Sequence, residues 1–217
     1  KNKDDTVTVR MNGNGPCGTL IAVADSFGNV KSYVSNPIVE IPLNNLGKLD
    51  VKGAVGTEGT LTVIKDLGLR EPYTGQIPIV SGEIAEDIAA YFAISEQIPT
   101  VCGLGVLVNP DLTVAVAGGY LIQLLPFADE KVIDIIENNI KSLPSVTEML
   151  SSGVTVEEMA LKVLDGLTPN VLDEFSAEYK CDCNKERVER ALISIGRDDL
   201  REMAAENDNT EVCCHFC

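Results

Sequence analysis

Four cysteines near the end of the chain have the spacing of a metal site. Cys181 and Cys183 form a C-x-C pair, and Cys214 and Cys217 form a C-x-x-C pair after thirty intervening residues, 184–213. Two close pairs that are far apart in sequence supply the four thiolates of a tetrahedral site, with each sulfur about 2.3 Å from the ion. Soft sulfur ligands favour zinc or an iron–sulfur cluster over hard cations. We therefore expect these cysteines to bind a metal, with structural disulfides or free thiols as the alternatives.

The neighbouring side chains offer other ligand sets. Cys213 could replace Cys214 by a shift of one residue, although C-x-x-C is the commoner geometry, and His215 could also compete as a ligand. The two remaining cysteines, Cys17 and Cys102, have no partner in sequence. We interpret them as core or turn residues rather than as reactive thiols.

Composition narrows the possible functions. Seven cysteines, five of them within residues 181–217, are too clustered for a secreted disulfide scaffold, and no signal-peptide pattern opens the chain. We expect a reducing, cytoplasmic compartment. The net charge of -16 disfavours nucleic acid and anionic membranes as partners. No apolar run approaches the roughly 20 residues that span a membrane.

Two ordinary enzyme classes find little support. The segment Gly13–Gly18 fits G-x-G-x-x-G, but Pro16 interrupts it and a strand-like run follows, so we predict a hairpin turn instead of a dinucleotide site. The only histidine is His215, inside the second cysteine pair, so no nucleophile has a separate histidine to activate it. We predict no catalytic residues.

The acidic flanks of the cysteines also disfavour a DNA-binding zinc finger.

The elements that must position the cysteines change in character along the chain. Short β-rich runs alternate with turn residues up to about Pro126, which predicts a mostly antiparallel sheet. Within this part, residues 84–95 begin as a turn and continue as a strand or a short helix. The predicted strands are Thr6–Arg10, Thr19–Asp25, Val30–Ser35, Thr60–Ile64, Gln76–Val80, Gly105–Val108 and Thr113–Leu125.

From Asp129 the apolar period becomes helical. Isoleucines and a leucine spaced three and four apart form one stripe over residues 133–143. Ser145 with Glu148, and Thr155 with Glu158, then form two capping boxes that predict two further helices. Each helix is too short to be stable alone, so the segment must dock on the sheet. In the tail, helices are predicted over about 184–195 and 198–206.

With these elements in place, the whole chain resembles the bacterial heat shock protein 33 family of redox-regulated holdase chaperones. Several segments carry the resemblance in the family's order: YVSNP (33–37), GTLTVIKDLGL (59–69), YTGQIPIVSGEIAEDIAAY (73–91), SEQIP (95–99) and AGGYLIQLLP (117–126). The family's N-terminal strand and helix, and a short segment after the last cysteine pair, are absent. We therefore interpret the chain as part of a longer protein.

The resemblance implies an α+β fold and a mechanism. It divides the chain into a β-rich core (1–126), a helical linker (127–170) and a zinc-binding redox-switch domain (171–217). It implies one Zn²⁺ per reduced chain on Cys181, Cys183, Cys214 and Cys217, and oxidised disulfides Cys181–Cys183 and Cys214–Cys217. Zinc release then uncovers a surface for unfolded client proteins, without ATP and with homodimer formation. The alternatives are a zinc-stabilised interaction module without a switch, and a thiol-disulfide oxidoreductase.

Overall fold

A computed structural model describes residues 5–129, 131–206 and 211–217 of the protein, and two β-sheets form its frame. The strands are β1 (Thr6–Gly13), β2 (Thr19–Asp25), β3 (Asn29–Val34), β4 (Gly59–Asp66), β5 (Tyr73–Pro78), β6 (Thr100–Val108), β7 (Val114–Gln123) and β8 (Glu178–Tyr179). Six of them form one sheet in the order β5-β4-β1-β2-β3-β8, and β6 pairs with β7 in a second sheet. Every pairing is antiparallel except that of β3 with β8.

Seven helices complete the described part of the chain. They are α1 (Val51–Val55), α2 (Ile84–Ser95), α3 (Lys131–Ser142), α4 (Val146–Ser151), α5 (Val156–Val163), α6 (Lys185–Ile195) and α7 (Arg197–Glu206). The predicted α+β class with a mostly antiparallel sheet is confirmed. Among the described residues, no helix has both the length and the hydropathy needed to cross a bilayer.

The core lies on one face of the six-stranded sheet. Its buried side chains come from β1, β4, β5, α1 and α2, and include Leu61, Ile77 and Tyr91. The glycine-rich segment is a hairpin turn between β1 and β2, as predicted. Its glycines allow close contact with the end of α1, since a Cβ at Gly13 would lie 1.9 Å from the carbonyl oxygen of Val55.

The segment 84–95 is a single α-helix from its first residue, so the prediction that it opens as a turn is wrong. The turn lies just before the helix, where the fully buried carboxylate of Asp87 accepts hydrogen bonds from three successive amides, those of Val80, Ser81 and Gly82. An acidic residue in the first helical turn thus satisfies the backbone that enters the helix. The turn therefore lies before the helix, and the Asp87 side chain holds it against the first helical turn.

The predicted helical segment is confirmed, including both capping boxes. It docks on the β6–β7 hairpin rather than on the larger sheet. A Cβ at Gly105 would lie 3.0 Å from the Cβ of Val146, and one at Gly118 would lie 2.7 Å from a methyl of Leu150. The two glycines are cross-strand partners. They form a flat patch on which α4 lies.

The three helices hold one another through a small core of their own. Val146, Met149 and Met159 are buried together, with Tyr120 of β7 packed against them. The side-chain amide of Asn139 in α3 donates to the carbonyl oxygens of Val163 and Asp165 at 3.0 and 2.8 Å, and so satisfies the end of α5. The segment is therefore joined to the rest of the protein chiefly through α4 and one hairpin.

Candidate metal centre

The four predicted ligands lie together in space. One sulfur from each of Cys181, Cys183, Cys214 and Cys217 lies within 4.8 Å of every other. The Cys181 and Cys214 sulfurs are 3.5 Å apart, and those of Cys183 and Cys217 are 3.2 Å apart. A tetrahedral ion with metal–sulfur bonds of about 2.3 Å requires its sulfurs to be about 3.8 Å apart. The cluster therefore fits one thiolate-bound ion.

Short elements on both sides position the two pairs. The strand β8 delivers the chain in extended form to Cys181 and Cys183. Asn184 then caps α6 by accepting a hydrogen bond from the amide of Arg187 at 2.9 Å. Helices α6 and α7 pack on each other and return the chain toward the second pair, in 211–217. The residues 207–210, including Thr210 of the predicted approach to that pair, lie outside the described part.

The structure places the neighbouring side chains differently. Cys214, not Cys213, belongs to the cluster, and Cys213 is exposed. The ring of His215 contacts the ring of Tyr33, with centroids 5.2 Å apart, so this histidine contributes to packing on the core. C-x-x-C spacing is therefore the one that the fold uses.

Hydrogen bonds within the cluster give its thiols different pKa values. The backbone amide of Phe216 lies 3.4 Å from the Cys214 sulfur and is the main reason that the pKa of this thiol falls to about 7. The hydrogen bond with Cys183 is the main cause that raises the pKa of Cys217 to about 12. Cys214 is thus readily a thiolate near neutral pH, which is the form that binds metals and reacts with oxidants.

The residues between the cysteines attach the centre to the edge strand β3. Asp182, inside the first pair, forms ion pairs with Lys31 of β3 and with Arg187 of α6. Chiefly through the hydrogen bond from Lys31, the pKa of Asp182 lies below its usual value. Phe216, inside the second pair, has its ring centroid 5.2 Å from the Lys31 ammonium. A side chain from inside each cysteine pair therefore contacts the same lysine.

A tyrosine and the short strand β8 extend this contact. The hydroxyl of Tyr179 lies 2.6 Å from the carbonyl oxygen of Phe216 and 3.2 Å from that of Ser32. Two backbone hydrogen bonds join the strands, from the amide of Glu178 to Gly28 and from that of Lys180 to Val30, at 3.1 and 2.9 Å. The cysteine cluster and the edge of the large sheet are thus one continuous structure.

No local sequence pattern predicted β8 or the roles of Lys31, Tyr33 and Tyr179. Each of these depends on a contact between β3 and the tail, roughly 150 to 180 residues apart in the chain, and no local pattern records such a pairing. The two other cysteines lie where the sequence suggested. Cys17 is buried in the core and Cys102 is half-buried on β6, and burial raises the pKa of both thiols.

Known proteins resemble the chain over its full length. The sequence profile of the family described as Hsp33 protein matches residues 1–217. The 33 kDa chaperonin of Clostridium beijerinckii is 49% identical over 217 residues, which is 100% of this chain and 74% of that protein. The 33 kDa chaperonin of Clostridium tetani is 46% identical over the same extent.

A solved structure shows the same fold. The crystal structure of the 33 kDa chaperonin from Thermotoga maritima matches with a TM-score of 0.87 and 40% sequence identity. The match covers 99% of this chain and 73% of that one. The arrangement of sheets, helices and tail is therefore shared by a protein of that name.

Proposed function

The chain belongs to the Hsp33 family, and from this premise we propose that it is a redox-regulated, ATP-independent holdase that binds unfolding proteins under oxidative stress. The observation that carries the proposal is the four-cysteine cluster, whose sulfurs lie within 4.8 Å of one another and whose loops touch the core sheet. A metal bound there cross-links the tail in its docked form. We infer a cytoplasmic chaperone and not an enzyme, whose partners are unfolded proteins.

We assign zinc to the cluster in the reduced protein, one ion per chain. Four thiolates suit zinc, and a structural zinc site supplies about 10–16 kcal/mol of folding free energy to small domains at neutral pH. Among its described residues, the tail of 171–217 has few other sources of stability. None of the residues of α6 is buried. Since whole domains are stable by only about 5–15 kcal/mol, a tail of this kind depends on its ion.

Oxidation is the proposed trigger. Two thiols and one peroxide molecule give one disulfide and two molecules of water, so two peroxide molecules convert all four ligands. The disulfide sulfurs no longer carry the charge that holds a zinc ion. We propose the pairs Cys181–Cys183 and Cys214–Cys217, as in the family.

The pairing determines whether the tail opens. The sulfur contacts at 3.2 and 3.5 Å run between the two pairs, Cys183 to Cys217 and Cys181 to Cys214. Disulfides along those contacts would keep the two halves of the tail joined, as the metal does, and would constrain the unfolded chain. Disulfides within each pair leave the halves unconnected. Only the second pattern turns oxidation into unfolding.

Opening of the tail is proposed to extend to α3–α5, and so to divide the protein into a core (1–126), a linker (127–170) and a switch domain (171–217). The main tail contacts lie on β3, so the effect reaches the helices through the connecting segment 164–177. The helices are weakly held, since α4 has six residues and rests on a glycine patch. Their release would uncover the β6–β7 face and apolar residues such as Ile136 and Met159.

The client surface needs no nucleotide. The glycine-rich segment is a turn between two strands and lacks the helix N-terminus that a phosphate site uses. Apolar side chains of the hairpin that are already exposed would add to the total apolar surface, several of them from the face opposite α4: Leu104, Val106, Val114 and Leu121. A large apolar surface of this kind also accounts for the homodimer that we propose for the oxidised form.

Hydrogen exchange along the chain, before and after peroxide, tests the proposal together with zinc content and prevention of aggregation. We expect zinc release, loss of amide protection from about residue 129 onward, and retained protection in β1, β2 and β4. An interaction module without a switch would keep its zinc in peroxide. A thiol-disulfide oxidoreductase would turn over a disulfide substrate. Loss of protection confined to residues after 171 would contradict the link between metal release and the helices.

A further inference from the structure

The edge of strand β3 is covered by the tail and by nothing else among the described residues. Its even-numbered residues direct their backbone groups away from β2, because the carbonyl oxygens of Gly28 and Val30 accept from β8. The Ser32 oxygen on the same side lies near the Tyr179 hydroxyl. Residues 178–180 thus lie along the edge as a short parallel segment, and Asp182 follows beside Lys31.

The metal loops hold that segment in place. Asp182 and Phe216, which lie inside the two cysteine pairs, both meet Lys31, and His215 meets Tyr33. The loops that carry these side chains meet at the sulfur cluster, so their positions depend on the cluster. The edge of β3 is therefore covered as long as the cluster is intact, and it is uncovered when the tail unfolds.

An uncovered edge strand is a template for another extended chain, because its outward amides and carbonyls have no partner. Strand addition supplies backbone hydrogen bonds whatever the sequence, which suits a protein that binds many unfolded partners. The occupant in this structure shows the required form, which is a parallel strand with a carboxylate beside Lys31. The chain has 17 basic and 33 acidic residues, so Lys31 gives this edge a positive charge in a protein that is mostly acidic.

We propose that the β3 edge is a second client-binding site, which takes an extended segment of an unfolded protein as a parallel strand in place of β8. The inference rests on the proposed function, since it requires the tail to open on oxidation. It differs from binding on the apolar β6–β7 face in its chemistry, because the contacts are backbone hydrogen bonds. The two sites lie in different sheets and are separable by experiment.

Proline at an outward edge position tests the proposal. Ser32→Pro removes an amide that faces away from β2, and proline is tolerated on edge strands at such positions. Ser32→Ala is the matched control, since it keeps the amide and removes only an exposed hydroxyl. Both variants should retain zinc when reduced. The probe is reduced, carboxymethylated α-lactalbumin, which stays unfolded, added to protein oxidised with peroxide.

Ser32→Pro should weaken binding of this probe by about threefold to tenfold, the effect of one or two lost hydrogen bonds, while Ser32→Ala binds as the unchanged protein does. In the unchanged protein, the outward amides of Val30 and Ser32 should lose protection on oxidation and regain it when the probe is added, while those of Lys31 and Tyr33, which face β2, stay protected. This exchange measurement decides the matter even if the proline variant does not fold.

Four results would overturn the inference. Full binding by a folded Ser32→Pro protein would do so, as would protection that appears only within residues 100–123 when the probe binds. That second result would leave the holdase proposal intact and place clients on the hairpin alone. Protection of the Val30 and Ser32 amides that rises with protein concentration in the absence of probe would assign the edge to a second copy of the chain. Failure of the oxidised protein to bind the probe at all would remove both proposals.

Discussion

Lys31 of the edge strand β3 and Asp182, the residue between two of the clustered cysteines, form an ion pair across 151 residues of sequence. The lysine side chain is 12% exposed and the aspartate 57% exposed. The pair therefore joins the core to the metal loop at the boundary between protein and solvent. This ion pair therefore attaches the first cysteine loop to the large sheet.

Removing this lysine should loosen the tail without removing the metal. We expect Lys31→Met to retain zinc but to lower the protection of the Lys180 amide, which donates to Val30, by about twofold to fivefold. This corresponds to the about 0.5–1 kcal/mol of an ion pair that is partly screened by solvent. Added salt should also lower the protection of the Lys180 amide in the unchanged protein, because salt screens the ion pair.

The matched control for this change is Lys185→Met, since the ion pair of Lys185 with Glu189 lies within α6 and is exposed. Hydrogen exchange at Lys180 should be unaffected by it. Equal loosening by both variants would mean that general charge, and not the contact with Asp182, holds the tail.

The second prediction concerns the ligand set. Cys181→Ser or Cys217→Ser should weaken zinc binding by about 100-fold, which is roughly one quarter of the about 10–16 kcal/mol of a four-thiolate site. Competition with a chromophoric chelator measures the affinity. Cys213→Ser is the control, because this thiol is adjacent to the cluster but outside it. Unchanged affinity in Cys181→Ser would remove that residue from the site.

The third prediction separates the remaining thiols from the switch. Replacing both Cys17 and Cys102 by alanine should leave zinc release and client binding after peroxide unchanged, because burial raises the pKa of both thiols and keeps them protonated. Cys17 is 5% exposed, so its loss should lower the melting temperature by a few degrees, about 1 kcal/mol. A folded double variant that no longer responds to peroxide would contradict the assignment.

The fourth prediction tests the docking of the helical segment on its hairpin. Gly105→Val places side-chain atoms where the Cβ alone already lies 2.9 Å from a methyl of Thr147, so α4 must move away. We expect the reduced, zinc-loaded variant to bind an apolar dye and to hold clients without peroxide. Ala115→Val, an added β-branched residue at an exposed position of β7, should do neither. An inactive Gly105→Val protein with α4 displaced would show that the uncovered face is not a client surface.

The fifth prediction is a pH dependence in the core. The hydrogen bond from Lys65, at 2.5 Å, is the main reason that the pKa of Glu96 lies below its usual 4.5, and the Tyr91 hydroxyl adds a second bond at 2.8 Å. A lowered folded-state pKa stabilises the fold above the unfolded pKa, and this stability is lost as the pH falls through the folded value.

The test compares the free energy of unfolding at pH 7 and pH 3.5 for the unchanged protein and for Glu96→Gln. The unchanged protein should lose more stability over this interval, since the glutamine has no proton to gain. Protonation of the cysteines also releases metal in acid, but this affects both proteins alike. Equal losses in the two proteins would show that the Glu96 carboxylate contributes nothing to the acid response.

Features that depend on nearby residues could be predicted from the amino-acid sequence. The C-x-C and C-x-x-C spacings identify the cysteine cluster, the two capping boxes fix the starts of α4 and α5, and Asn184 marks the start of α6. Each of these depends on hydrogen bonds or residue spacings that span only a few positions, so a short stretch of sequence is enough to predict it. The same locality explains the prediction of most strands.

Features that depend on distant partners became visible only in the folded protein. It placed Cys214 rather than Cys213 in the cluster, folded 84–95 as a helix over the buried carboxylate of Asp87, and separated the β6–β7 hairpin from the larger sheet. It also joined β8 to β3 and brought Lys31 to Asp182. Strand pairing and ion pairs across 150 residues are selected by the packing of the whole chain, because a short strand or a lone lysine has many possible partners and only the fold removes all but one.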